Sequence, residues 1–192
     1  MLEICLATNN AHKVEELQHL LGKSVKLKTL KEIGCFDEIP EDAFTFQENS
    51  SQKAQYIWQK YKINCIADDS GLEVDALGGE PGVFSARYAG EHGNHAKNIA
   101  KLLEMLQNED NRAAQFRCVI TLLIDGKENY FEGIVRGTIT REITGNGGFG
   151  YDPIFKPKGF EKTFAEMTMD EKNPISHRGL AVDKLKLFLD SK

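Results

Sequence analysis

Ile63-Asn64-Cys65-Ile66-Ala67-Asp68-Asp69-Ser70-Gly71 is the stretch on which the fold turns. Ile63–Ala67 is a short apolar run of the kind that forms a buried strand, and it leads straight into two adjacent carboxylates. Before it, Phe46–Tyr61 reads as a helix that offers Ile57, Trp58 and Tyr61 to a core. After it, Lys97–Leu106 places Ile99, Leu102, Leu103 and Leu106 at the helical period. A buried strand between two amphipathic helices predicts the α/β class.

The rest of the chain extends this pattern. Leu2–Ala7 is a first core strand that stops at Thr8-Asn9-Asn10, and the next helix buries Val14, Leu17, Leu20 and Leu21. Phe116–Ile124 and Asn129–Ile139 read as strands joined by a turn at Asp125-Gly126. A final helix starts near Ser176 as N-cap and buries Ala181, Leu185, Phe188 and Leu189. The expected assembly is a mixed sheet shared by two lobes, forming one domain over residues 1–192 with no separable second domain.

Composition narrows the function. The 192 residues are 41% hydrophobic and 28% charged, as in globular proteins, with a net charge of −5. That charge gives no general attraction to nucleic acid or to an anionic membrane. No apolar run is long enough to span a bilayer, and Met1–Thr8 lacks the basic start of an export signal. A cytoplasmic protein with reduced cysteines follows as the expectation; Cys5, Cys65 and Cys118 lie in apolar segments and read as core filler.

Four polar segments sit where elements begin or end. Thr8–Lys13 precedes a helix, where free N–H groups attract anions; an ordinary N-cap loop is the alternative. Asp68 and Asp69, with upstream Glu41, offer the oxygen ligands that Mg²⁺ favours, or else a solvated Asp-Asp-Ser-Gly turn. Gly145–Gly150 matches G-x-G-x-x-G by spacing, but Pro153 and Pro157 forbid the helix a dinucleotide fold needs. The loop therefore suits the close approach of a planar ligand, with Phe149 as a stacking face. A Walker loop is absent too: Gly22-Lys23-Ser24 has the ending, but Leu17 stands where glycine is required. In the fourth segment, His177 and Arg178 open the last helix, a poor place for cations unless an anion or a base edge meets them. Glu48, Asn49 and Lys53 share a helix face, as a surface ion-pair set or as a wall of the same site. His92-x-x-His95 has no third ligand nearby.

Together and in this order, these segments resemble the non-canonical purine nucleoside triphosphate pyrophosphatases, the inosine triphosphatase family. The resemblance spans Leu6-Ala7-Thr8 to Ser176-His177-Arg178. It is carried by Phe46-x-Glu48-Asn49, Ile66–Leu72, Gly78-Gly79-x-Pro81-Gly82, Ser85-Ala86-Arg87-Tyr88 and Gly147–Pro153. It implies an elongated α/β fold with its active-site cleft between two lobes, and a homodimer. It also implies Mg²⁺-dependent hydrolysis of ITP, dITP or XTP to the monophosphate and pyrophosphate. By position, Thr8, Asn9, Asn10, Ala11, His12 and Lys13 would hold the triphosphate. Asp69 would activate water and meet the metal with Glu41 and Asp68. Lys53 would line the site, and Ser70 would touch substrate. Phe149, Gly150, Tyr151 and Asp152 would enclose the base, while Lys172, His177 and Arg178 would read its edge and contact phosphate. Asn9 stands where the family usually has glycine, and asparagine is the next most tolerant residue if that position is left-handed. A related Maf-type pyrophosphatase, with another base preference, is the alternative.

Overall fold

The computed structural model describes residues 3–22 and 25–191; Leu2, Lys23 and Ser24, which figure in the strand and Walker readings, lie outside them. The elements are β1 (Glu3–Leu6), α1 (Ala11–Leu21), β2 (Lys26–Lys28), α2 (Phe46–Tyr61), β3 (Cys65–Val74), α3 (His95–Met105), β4 (Ala113–Ile124), β5 (Lys127–Ile139), β6 (Phe155–Pro157), α4 (Met169–Lys172) and α5 (His177–Asp190). The strands pair in the order β2-β1-β3-β4-β5-β6. β1 is parallel to β2 and to β3, and β5 is antiparallel to β6, so the sheet is mixed, as expected.

Local chemistry sets the element ends. Asn10 caps α1, accepting from the N–H groups of His12 and Lys13. Thr45 caps α2 and exchanges hydrogen bonds with Glu48 at its third position, a capping box. Asp125 and Gly126 both have positive φ, +50° and +78°. This is the conformation a two-residue hairpin turn requires to match strand twist.

One boundary differs from expectation in a way that matters. Asp68-Asp69-Ser70-Gly71 is not a turn; β3 continues through it to Val74. Both carboxylates have protein partners, so the ladder need not stop to solvate them.

The chain divides into two compact units. The first holds the described residues up to Asp69, Cys118–Gly133, and those from Arg178 onward; the second holds Ser70–Arg117 and Ile134–His177. In the first unit, one apolar cluster joins Ile4, Leu6 and Ile66 to Leu17 of α1 and to Ala181, Val182 and Leu185 of α5. A second cluster joins Cys5, Cys65 and Ala67 to Ala54 and Ile57 of α2. Neighbouring residues of β3 thus serve opposite faces, as strand alternation dictates. In the second unit, Leu72, Phe116, Ile154, Phe155 and Phe164 form the core. Phe188 and Leu189 are only partly buried against the first cluster. The four cysteines are free and buried, and burial pushes the Cys118 thiol up to about 12.

Gly126 tests the hairpin. A Cβ there would meet the Trp58 ring at 3.4 Å, in a left-handed backbone. Gly126→Ala should lower stability by about 1–2 kcal/mol through the backbone alone, read as a fall in melting temperature. An unchanged melting temperature would show that the turn does not select its conformer.

Candidate active site

In the first unit, the strand alternation that splits the core also splits the acidic pair. Asp68 shares its face with Ile66, towards α1 and α5. Its Oδ2 accepts from Arg178 Nη2 at 3.0 Å and Nε at 3.3 Å, and pairs with Lys13 Nζ at 3.1 Å. Arg178 also pairs with Glu16. Asp68 and Arg178 are both 1% exposed, and Glu16 is 7% exposed. Burial alone would raise the Asp68 carboxyl, but the charges of Lys13, Arg178 and Lys53 outweigh it and hold the group far below the usual range.

Asp69 shares its face with Cys65 and Ala67, towards α2. Its Oδ2 accepts from Asn49 Nδ2 at 2.9 Å. Lys53, one turn on from Asn49, pairs with Glu41 and donates to the Asp68 carbonyl at 2.7 Å. Burial raises the Asp69 carboxyl; Lys53 and Lys13 oppose this, and Glu41 adds to it. Asn49 and Lys53 are therefore the buried wall of a polar site, whereas Glu48 is exposed and caps the helix.

The first loop is largely self-satisfied. Asn10 Oδ1 accepts from His12 N–H at 3.0 Å and Lys13 N–H at 3.2 Å, and Asn10 N–H donates to Thr8 Oγ1 at 3.2 Å. The helix-start N–H groups of His12 and Lys13, expected to be free, are thus already capped. Asn9, Ala11 and His12 are exposed. Among described residues other than glycine only Lys62 and Asp125 have positive φ, so Asn9 fills the glycine position without backbone strain.

The second unit gathers the aromatic group. Asp152 Oδ2 accepts from Phe149 N–H at 2.9 Å and from Lys172 Nζ at 2.8 Å. Lys172 Nζ also lies 5.3 Å from the Phe149 ring centroid and 5.5 Å from that of Phe164, within cation–π range. A Cβ on Gly148 would fall 2.1 Å from Asp152 Oδ2, so only glycine lets the loop fold onto that carboxylate. The His95 ring is 6.3 Å from Phe149. His177 stacks on Phe116 at 4.7 Å with an interplanar angle of 11°. Tyr151 belongs to the core, its hydroxyl donating to the Ser85 carbonyl at 2.9 Å. Gly150 and Ser70 are half-buried.

The structure thus gathers Lys13, Glu41, Lys53, Asp68, Asp69 and Arg178 in the first unit, and Phe149, Asp152 and Lys172 in the second. The anions that Arg178 meets are supplied by the protein, Asp68 and Glu16; no base edge is needed to explain its place. Glu16 escaped the sequence reading. Its signal was a carboxylate beside Leu17 on the apolar face of α1, one turn after Lys13.

Among the described residues, no three His, Cys, Asp or Glu side chains form a protein-only metal cage. The donor set nevertheless fits a hard cation held by few carboxylates. Glu41 and Asp69 repel one another and are the pair that a cation would relieve; Asp68, expected as a further ligand, instead faces away on β3 and is met by Lys13 and Arg178.

An α/β protein with buried carboxylates beside lysines in one unit, and an aromatic loop beside a buried lysine in the other, has the parts of a nucleotide-handling enzyme. The Ham1 family model matches residues 4–188, and the chain belongs to that family. It is 53% identical over 184 residues to the dITP/XTP pyrophosphatase of Flavobacterium johnsoniae, covering 96% of each chain. It is 46% identical over 195 residues to that of Bacillus subtilis, covering 100% of this chain and 98% of the relative. Among solved structures, a HAM1 protein from Coxiella burnetii aligns over 100% of both chains with TM-score 0.92 and 40% identity. The Staphylococcus aureus Ham1 protein covers 98% of both with TM-score 0.90 and 40% identity. The Maf-type alternative has no support in these matches. No helix among the described residues is long and apolar enough to cross a membrane.

Removing one partner from a buried ion pair costs about 3–5 kcal/mol. Arg178→Met should lower stability by that order in urea titrations at pH 7. Asp68 has a depressed folded pKa, so its contribution is present above the ordinary aspartate value of ~3.9 and is lost as pH falls below it. The gap between wild type and Asp68→Asn should therefore narrow from pH 7 to pH 3. A gap that does not depend on pH would remove the ion pair as its cause.

Proposed function

We propose that this chain hydrolyses non-canonical purine nucleoside triphosphates, dITP, ITP and XTP, to the monophosphate and pyrophosphate, with Mg²⁺. The observation that carries the reading is Asp69: a buried carboxylate fixed by Asn49 beside Glu41 and two lysines. Relatives that match over nearly the whole chain bear the corresponding name.

In this reading Asp69 orients a water and takes its proton as the water oxygen attacks the α-phosphorus, and the bond to the β-phosphate bridging oxygen breaks. Lys13 and Lys53 offset the charge that gathers on the departing pyrophosphate, since such transfers need neutralisation and alignment more than covalent catalysis. Bound Mg²⁺, held by Glu41 and Asp69, would supply further neutralisation of the phosphate charge. Phe149 offers its ring to the purine, and Asp152 holds Lys172 beside that ring. A donor set for the 6-keto oxygen of hypoxanthine or xanthine would face the amino group of adenine, leaving both unpaired; sites built this way reject the wrong partner strongly. The proposal includes a homodimer in the cytoplasm. Phe36 and Phe44, 81% and 83% exposed, are apolar surface that a second copy can cover.

Purified protein should release pyrophosphate, not orthophosphate, from ITP, and should do so far faster than from ATP or GTP; EDTA should stop the reaction. Equal rates on the three nucleotides would defeat the base selectivity. Asp69→Asn should lose turnover by at least about 10³-fold, at the strong end of general-base effects, and still bind nucleotide in an equilibrium assay. It should also melt no lower than wild type, because burial disfavours the charge it removes. Retention of wild-type kcat would take Asp69 out of the chemistry.

A further inference from the structure

Glu41, Asp42 and Ala43 belong to no helix or strand, so their place is set by what they bond to. Asn49, Gln52 and Lys53, at i, i+3 and i+4 on one face of α2, each take one of them. Asn49 Oδ1 accepts from Ala43 N–H at 2.9 Å, Gln52 Oε1 accepts from Asp42 N–H at 3.3 Å, and Lys53 pairs with Glu41. Asn49, 2% exposed, also reaches β3, where its Nδ2 donates to Asp69 Oδ2 at 2.9 Å. The polarity of this bridge is fixed. A backbone N–H only donates, so Ala43 holds the oxygen end of the amide towards the loop and turns the nitrogen end to the carboxylate. Gln52 and Lys53 hold the loop whether or not Asn49 does, and alanine at this position would favour the helix. The contact left for the amide to explain is the one with Asp69.

We propose that Asn49 is a positioning residue for Asp69: anchored on Ala43, its amide fixes the rotation of the Asp69 carboxyl group. This rests on reading Asp69 as the group that takes a proton from the attacking water. The terminal torsion of an aspartate is broad, so an untethered carboxyl turns readily. A bond to Oδ2 from an amide that cannot itself turn round removes that freedom. A general base must stay within hydrogen-bond reach of a water that is in line with phosphorus, and such geometry tolerates little displacement. Asn49 does this without touching the nucleotide, so its effect belongs in kcat and not in KM.

The test measures pyrophosphate release from ITP by wild type, Asn49→Ala, Asp69→Asn and the double variant. Asn49→Ala should lower kcat about 10- to 100-fold, as expected for a displacement of about 1 Å, and should leave KM within about threefold. In the Asp69→Asn background the same substitution should lower kcat by less than about threefold, because residues that act as one unit are not additive. A general loosening of the fold would instead cost the same factor in both backgrounds. An equal loss in both, wild-type kcat in Asn49→Ala, or a loss carried by KM would each overturn the proposal. If Asn49→Ala does not fold, Asn49→Asp enters the same comparison: it has the same size and still accepts from Ala43 N–H, but turns an acceptor towards Asp69. Wild type that releases no pyrophosphate from ITP, or Asp69→Asn with full kcat, would sink the reading on which the proposal rests. Loss of turnover in Asp69→Asn with an indifferent Asn49→Ala sinks the role of Asn49 alone.

Discussion

Arg178 carries its charge into a site 1% open to solvent, in the first turn of α5, where the helix dipole also opposes a cation. It stays there because Asp68 on β3 and Glu16 on α1 meet it from two directions, and Asp68 in turn meets Lys13. Desolvating such charges costs several kcal/mol for each ion, and the attraction recovers this only when geometry and partners are complete. In the chain Glu16–Arg178–Asp68–Lys13 every charge meets an opposite one. It links one strand and two helices that are distant in sequence, and so sets the position of the acidic strand on which the rest of the site is built.

Strand alternation converts this constraint into a division of labour. Asp68 and Asp69 are chemically alike and adjacent, but the pleat sends them to opposite faces. Asp68 is met by cations that hold it ionised. Asp69 meets a neutral amide, with Glu41 working against its charge and lysines near enough to moderate it. One carboxylate is thereby a structural anion; the other is left in a state where a proton or a cation is welcome. Two carboxylates whose surroundings push their acidities apart are the usual basis for separate roles in one site.

Much of this was legible in the sequence. α2 has the bounds its pattern predicted, Asp125-Gly126 makes the expected turn, α3 differs by a residue or two at each end, α5 opens directly after Ser176, and α1 forms where its apolar spacing placed it. These features are local: periodicity, caps and turn chemistry act within a few residues. β3 was cut short because two adjacent carboxylates read as the end of a buried strand, and only partners far from them in sequence, Lys13 and Arg178 for Asp68 and Asn49 for Asp69, make them compatible with a strand interior. Glu16 was invisible for the same reason, since its partner lies 162 residues away. The role of Arg178 in bridging protein carboxylates likewise depends on tertiary neighbours that no spacing rule reports. The Gly148 requirement is intermediate. The glycine was conspicuous, but the reason for it, an Asp152 oxygen where a Cβ would stand, needs coordinates.

The poorly satisfied groups are themselves informative. Hydrophobic clusters and capped helices leave little of the fold in conflict, yet Asp69 is buried against its charge, Asp68 keeps one oxygen without a partner, and Asn173 keeps both ends of its amide so. Random imperfection would scatter such conflicts through the chain. Here they fall on the acidic segment of β3 and beside Lys172, the segments whose residue types already suggested phosphate and base chemistry. Selection for stability alone would replace an unpaired buried amide with an apolar side chain, at a gain of order 1 kcal/mol. For Asp69, retention makes physical sense if the carboxylate is completed by something the folded chain does not itself contain, a cation or a proton.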